Sequence, residues 1–178
     1  MKPNKCHLLQ QQVTFLGHVV SKEGIQTDPE KIRMVSEWPT PSSLRDARSF
    51  VGLCAYYRRF VPDFAPVARP LHALTKKGMR FQWSIECDNA FRELKRCLTE
   101  APVLALPNDR DLYILDTDAS YEAIGAVLSQ VQEGQEKVIC FGSRVCSDAE
   151  KNYNVTRKEL LAMVHFLKMY RQYLWGAG

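Results

Sequence analysis

The chain has 178 residues, of which 46% are hydrophobic and 25% charged, with a formal net charge of +4. That is room for one large or two small domains with real cores, which excludes a disordered tail or a low-complexity linker. The net charge is compatible with nucleic acid but does not prove it, because the distribution of charge matters more than its sum. The six cysteines, Cys6, Cys54, Cys87, Cys97, Cys140 and Cys146, form no C-x-x-C pair. Neither a zinc site nor a disulfide framework is suggested, and they read as reduced thiols in a cytosolic protein. No apolar run approaches membrane-spanning length, so no membrane partner is expected.

Residues 5–26 read as a β-hairpin, with Val13 to Val20 as a strand-like run and Ser21-Lys22-Glu23-Gly24 as the turn. Asp28 caps and Pro29 begins a helix bearing Ile32, Val35 and Trp38 and ending at Pro39. A longer helix is predicted from Ser43, with Asp46 completing a capping signal, to about Val61 before Pro62. At about 100° per residue Phe50, Leu53, Cys54, Tyr57, Phe60 and Val61 fall on one apolar arc. Arg45, Arg48, Gly52, Tyr56 and Arg59 gather within about 80° on the opposite side. Guanidinium groups suit phosphate oxygens, and a glycine between them lets a backbone approach. A solvated surface accounts for the same pattern.

Pro66 and Pro70 predict only short helical turns over 63–83, a connector with a basic tip at Lys76-Lys77-Gly78. Ser84 is the N-cap of a helix bearing Cys87, Ala90, Phe91, Leu94 and Leu98, expected to dock on the sheet that follows. That sheet has three predicted strands, about 112–118, 122–131 and 137–143, with Gln132 to Glu136 as the second turn and Gly134 free to take positive φ. A helix from about Thr156 to Tyr173 covers one face. The fold class is therefore α+β.

Two carboxylates stand out. Asp118 closes the apolar strand run Leu112-Tyr113-Ile114-Leu115, where a charged side chain must be hydrated, capped or bound to a metal. Glu159 lies at the start of the last helix. Acids converging from a sheet and a helix suit divalent cations that clamp a phosphodiester, and magnesium prefers such hard oxygen ligands. The plain structural readings are a turn aspartate and a capping box Thr156-x-x-Glu159.

Thr117-Asp118-Ala119-Ser120, Ile124-Gly125-Ala126-Val127-Leu128-Ser129-Gln130, Phe141-x-Ser143-Arg144, Glu150-x-Asn152-Tyr153 and Lys158-Glu159-Leu160-Leu161-Ala162 follow one another in order. Together they resemble the ribonuclease H region of gypsy-type LTR retrotransposon Pol polyproteins. Upstream, Lys5-Cys6, Phe15 to Ser21, Gly24-Ile25 and Asp28-Pro29-x-Lys31-Ile32 resemble the end of the reverse transcriptase palm in that family. Gly52-Leu53, Tyr56-Tyr57-Arg58-x-Phe60, Pro70-Leu71 and Phe81-x-Trp83 continue the likeness through thumb and connection.

The resemblance implies an end-of-palm hairpin over 1–26, thumb and connection helices over 27–80, and a ribonuclease H-like domain over 81–178 truncated at its C-terminal end. It implies that Asp118 and Glu159 are catalytic and bind Mg2+ or Mn2+, expected only in the complete enzyme. It also assigns Arg45, Arg48, Tyr56, Arg58, Arg59, Lys76, Lys77, Ser143 and Arg144 to a nucleic-acid surface. The partners implied are RNA–DNA hybrid or template–primer duplex and the remaining segments of the polyprotein. The expected location is cytoplasmic, in retrotransposon particles, with the nucleus as an alternative. The polymerase Asp-Asp pair does not occur in the chain, and the family's third and fourth ribonuclease H carboxylates belong to elements beyond Trp175-Gly176. An interior slice without autonomous turnover is therefore expected. The alternatives are a non-catalytic nucleic-acid-binding remnant and a protein-interaction module.

Overall fold

The computed structural model describes residues 10–76 and 78–175; Lys5, Cys6, Lys77 and Gly176 lie outside them. The strand-like run from Val13 to Val20 is broken in the middle. Leu16 and Gly17 both take positive φ (46° and 70°), as a tight hairpin turn requires. The expected hairpin is therefore a three-stranded antiparallel meander of β1 (Gln12–Phe15), β2 (His18–Ser21) and β3 (Gly24–Thr27). Leu at a left-handed position gives no sequence signal for such a turn.

α1 (Pro29–Ser36) starts as expected, the Asp28 side chain accepting from the Glu30 N–H at 3.0 Å. α2 (Leu44–Tyr56) is capped by Ser43 but ends before Val61. The chain passes into a 3-10 turn, Arg58–Phe60, which still buries Tyr57, Phe60 and Val61. The supposed connector is a helix, α3 (Phe64–Leu74). Pro66 occupies its first turn, where the missing N–H has no intrahelical partner anyway. Pro70 lies inside it, at a cost of about 3 kcal/mol. Burial of Phe64, Leu71 and Leu74, each contributing about 1.5–3 kcal/mol, offsets that cost.

α4 (Ile85–Thr99) is capped by Ser84. Its stripe Cys87, Ala90, Phe91, Leu94 and Leu98 does not dock on the following sheet as expected. It packs against α3 and α1 and joins a core with Phe50, Cys54 and Phe60. The apolar periodicity set which face is buried, not against what.

The second sheet has the order β4-β5-β6, all antiparallel: β4 (Tyr113–Ala119), β5 (Ala123–Gln132) and β6 (Gln135–Val145). Its second turn is the two residues Glu133 and Gly134, both at positive φ. α5 (Asp148–Lys151), α6 (Val155–Met169) and α7 (Arg171–Leu174) follow where one helix was expected. α6 packs on β4 and β5, burying Ala162 and Phe166 in a second core with Ile124, Leu128 and Ile139. The two sheets are joined through residues 103–105. Ile25 and Leu104 exchange both backbone hydrogen bonds (2.7 and 2.9 Å), and the Ala105 N–H donates to the Val138 carbonyl at 2.7 Å.

Among the described residues β4 pairs with β5 alone, leaving an open edge. Leu160, Met163, Val164 and Leu167 of α6 are about half exposed. An open edge beside an apolar helix face favours self-association. The purified chain is expected to show a sedimentation coefficient that rises with concentration, and a constant monomer value would contradict this. Among the described residues no helix is long and apolar enough to cross a membrane.

Candidate nucleic-acid interface and carboxylates

On α2, Arg45, Arg48, Gly52 and Tyr56 are all exposed on one side. Added bulk at Gly52 would meet nothing within 4 Å, so this side of the helix is open to a large partner. Arg48 also donates to the Thr75 carbonyl at 3.1 Å, which orients it from α3. The Tyr56 ring stacks on His18 (centroids 5.3 Å, planes 10° apart) and its hydroxyl donates to the Leu16 carbonyl. The Tyr57 hydroxyl donates to the Gly17 carbonyl at 2.7 Å. The β1–β2 turn is thus fastened to the end of α2, a link that periodicity does not reveal. Burial of His18 against the edge-on Tyr57 ring and the tilted Phe60 ring, and to a lesser extent nearby Arg59, keeps its imidazole pKa below the ordinary value.

Arg59 does not stay on that face. The early end of α2 turns it toward the second sheet, where it donates to the Ile139 carbonyl at 3.3 Å. Arg58 and Lys76 border the same cleft between α3 and β6. Lys77 lies outside the described residues. Ser143 accepts a hydrogen bond from the Ala65 N–H at 2.8 Å, tying β6 to the start of α3. Arg144 makes a bidentate pair with Glu150 (3.0 and 2.9 Å). Glu150 closes a capping box with Ser147 at the start of α5. Both side chains therefore have structural partners, which the motif match alone did not show.

The Arg144 guanidinium, with the Ser147 backbone N–H, holds the Glu150 carboxyl down to about 2 from an ordinary 4.5. A depressed carboxylate pKa stabilises the fold above the unfolded value and loses that contribution as pH falls through the folded one. Glu150→Gln should cost about 0.5–1 kcal/mol at neutral pH, the range of a partly exposed pair. The difference in urea midpoint between the two proteins should stay constant down to about pH 4.5 and shrink toward about pH 2. A difference that grew on acidification would refute the pairing.

Asp118 is exposed and lies within β4, one residue before its end. Its cross-strand neighbours are Gly125 and then Ser143, and directly opposed residues share a sheet face. That face looks toward α3: Asp116 and Asp118 line a groove of about 190 Å3 with Pro62 and Asp63. Asp63, at φ 50° before α3, and Asp116 are the acidic neighbours that the motif match left out.

Glu159 is exposed in the second turn of α6. It is not part of a capping box, because the N-cap is Asn154, whose side chain accepts from the Arg157 N–H at 2.9 Å. α6 covers the other face of the sheet, where Phe166 and Tyr170 lie over Gly142. The buried Lys158 beside Glu159 reaches the Tyr121 carbonyl at 3.4 Å in the β4–β5 turn. Asp118 and Glu159 thus come to the same end of β4 from its two faces. Among the described residues no three His, Cys, Asp or Glu side chains gather to hold a metal ion.

Comparisons with known proteins identify the family of the chain. Residues 83–178 match the family described as an RNase H-like domain found in reverse transcriptase. The chain is 40% identical over 185 residues to the retrovirus-related Pol polyprotein from transposon opus of Drosophila melanogaster, covering 98% of this chain and 18% of that protein. It is 36% identical over 171 residues to the transposon Tf2-3 polyprotein of Schizosaccharomyces pombe, covering 96% of this chain and 13% of that one. The chain therefore spans less than a fifth of the length of these relatives. A foamy viral protease-reverse transcriptase in complex with RNA/DNA hybrid superposes with a TM-score of 0.84 at 25% identity, over 97% of this chain and 24% of the viral one. The same viral protein in complex with dsDNA gives 0.83 over 36% of its chain. Sequence and fold together place this chain in the retroelement Pol family, with residues 83–178 belonging to the RNase H-like domain found in reverse transcriptase.

Proposed function

We propose that this segment binds RNA–DNA hybrid or template–primer duplex along the Arg45, Arg48 and Tyr56 side of α2, as part of a reverse transcriptase and ribonuclease H polyprotein. The observation that carries the reading is the superposition over 97% of the chain on a viral protein in complex with RNA/DNA hybrid. The exposed arginines supply what such a ligand needs: a fork geometry for phosphate oxygens, on a helix whose glycine leaves room for the strand. Remaining Pol segments are proposed partners that would cover the β4 edge and the apolar side of α6.

Asp118 and Glu159 are proposed as two carboxylate ligands for Mg2+ or Mn2+ in the complete protein. Their hard oxygen donors fit such a cation, since magnesium usually takes only one or two carboxylates, water and substrate phosphate completing its shell. Bound there, the metal would supply Lewis-acid activation for hydrolysis of the RNA strand. The side chains' own contribution is to present negative charge at one end of β4, beside a duplex gripped by α2. Lys158, held on the Tyr121 carbonyl, fixes the helix turn that carries Glu159.

Fluorescence anisotropy with a labelled RNA–DNA hybrid tests the binding. The apparent association constant should fall steeply with salt, because each phosphate contact releases counterions. Arg45→Gln and Arg48→Gln should each weaken binding about tenfold and lower the log–log slope by about one. A slope unchanged in both variants would remove α2 from the interface.

A further inference from the structure

A cavity of about 570 Å3 opens between α3, β6 and the end of α6, away from the carboxylates. Its size suits a small organic ligand. Phe64, Phe141, Tyr170 and Tyr173 give it aromatic walls, and Arg58, Arg59, Arg69 and Lys76 line it as well. Among the described residues no Asp or Glu lines it. Arg69 is paired with Glu122 at 2.6 Å, whereas Arg58 and Lys76 have no ion pair among the described residues. Cations brought together around an apolar concavity repel one another until an anion enters.

The buried polar atoms point the same way. Among the described residues, Arg59 Nε and the Tyr170 hydroxyl are both buried without a hydrogen-bond partner of normal geometry, and both residues line this cavity. Tyr170 is 4% exposed; burial is the first cause that raises its phenol pKa, the neighbouring Cys140 thiol adding to it. The hydroxyl therefore stays protonated at neutral pH, with the weakly accepting Cys140 thiol as a polar neighbour. Unmet donors in a concave site mark where a ligand's acceptors belong.

We infer that this cavity binds a nucleotide-sized aromatic anion, its ring against the aromatic walls and its phosphate at Arg58 and Lys76. Aromatic side chains stack on any base, and charged donors hold phosphate. Two sources share this chemistry: a free nucleoside monophosphate and the 5′-phosphorylated terminal nucleotide of a strand. The site goes beyond duplex binding by α2, since neither Arg45 nor Arg48 lines it.

Calorimetric titration of the full chain with deoxyadenosine monophosphate tests the inference. Saturable binding is expected, weakened about tenfold by Arg58→Gln and by Lys76→Gln. Tyr170→Phe, which keeps the ring, should also weaken it. Inorganic phosphate and adenosine alone should each bind more weakly than the nucleotide. Competition by a 5′-phosphorylated tetranucleotide would identify a strand end as the source, and its absence a free nucleotide. No saturable binding at millimolar concentration, phosphate binding as tightly as the nucleotide, or affinity unchanged in all three variants would overturn the inference. Loss of duplex binding on changing Arg45 or Arg48 is a separate result that leaves it standing.

Discussion

Gly24→Ala should destabilise the fold by about 3–5 kcal/mol, one of the largest effects available to a single methyl group. Gly24 opens β3 at φ 137°, a conformation that side-chain-bearing residues rarely adopt, and an added Cβ would fall onto the Leu104 carbonyl oxygen and within 3.1 Å of Val103 Cγ1. The obstacle is backbone, so no rotamer change relieves it. The strand must move away and give up the paired bonds between Ile25 and Leu104, each contributing about 1 kcal/mol, on top of about 1–3 kcal/mol of backbone strain. Because residues 103–105 also bond to Val138 in β6, the loss uncouples the N-terminal sheet from the second one. Gly134→Ala is the control: it too has positive φ (76°), but its Cβ would meet nothing within 4 Å, so about 1–2 kcal/mol of strain is expected. Equal urea midpoints for the two variants would show that the Ile25–Leu104 bridge holds nothing together.

The parts of this fold that were legible in sequence are those governed by chemistry within a turn or two. The Asp28, Ser43 and Ser84 caps sit where their side chains were expected to accept backbone hydrogen bonds, and Gly134 takes the positive φ assigned to it. The strands β4 to β6 follow their apolar runs, and the α+β class follows from the order of elements. What was not legible depends on distant packing. Pro70 spoke against a helix that burial of Leu71 and Leu74 sustains. Leu16 carried no turn signal, yet its carbonyl and that of Gly17 are held by Tyr56 and Tyr57, about forty residues on. Asn154 and Thr156 are both good caps, and sequence alone does not rank two candidates so close together.

The candidate site divides in the same way. The motifs identified the carboxylates by type and spacing, but which face of the sheet each meets is set by pairing register. That register aligns Asp118 with Gly125 and Ser143 on the α3 side, while α6 delivers Glu159 from the other. Likewise, helical periodicity placed Arg59 with Arg45 and Arg48 only as long as α2 continued. Its end at Tyr56 turns Arg59 into the cleft beside Ile139.

Gly142→Ala should cost about 3 kcal/mol or more, and tests how α6 is seated. The Cβ would fall onto the Tyr170 hydroxyl and within 2.9 Å of Phe166 Cε1, both on rings buried in the second core. Phe166 is fully enclosed in that core, so even if the Tyr170 ring shifts toward the cavity it lines, relief requires α6 to lift from β6. Tyr170→Phe alone should be nearly neutral, because the hydroxyl it removes has no hydrogen-bond partner of normal geometry among the described residues. Combined with Gly142→Ala, it removes the atom in the way and should recover about 1–2 kcal/mol, a coupling typical of residues in direct contact. Strict additivity in a double-mutant cycle would mean that this contact does not seat the helix. The same cycle bears on the proposed role of Glu159, since lifting α6 carries that carboxylate away from β4. Hybrid cleavage by the full-length polyprotein should therefore fall in Gly142→Ala and recover with Tyr170→Phe. The loss caused by Asp118→Asn, which acts through the ligand itself and not through helix position, should show no such rescue.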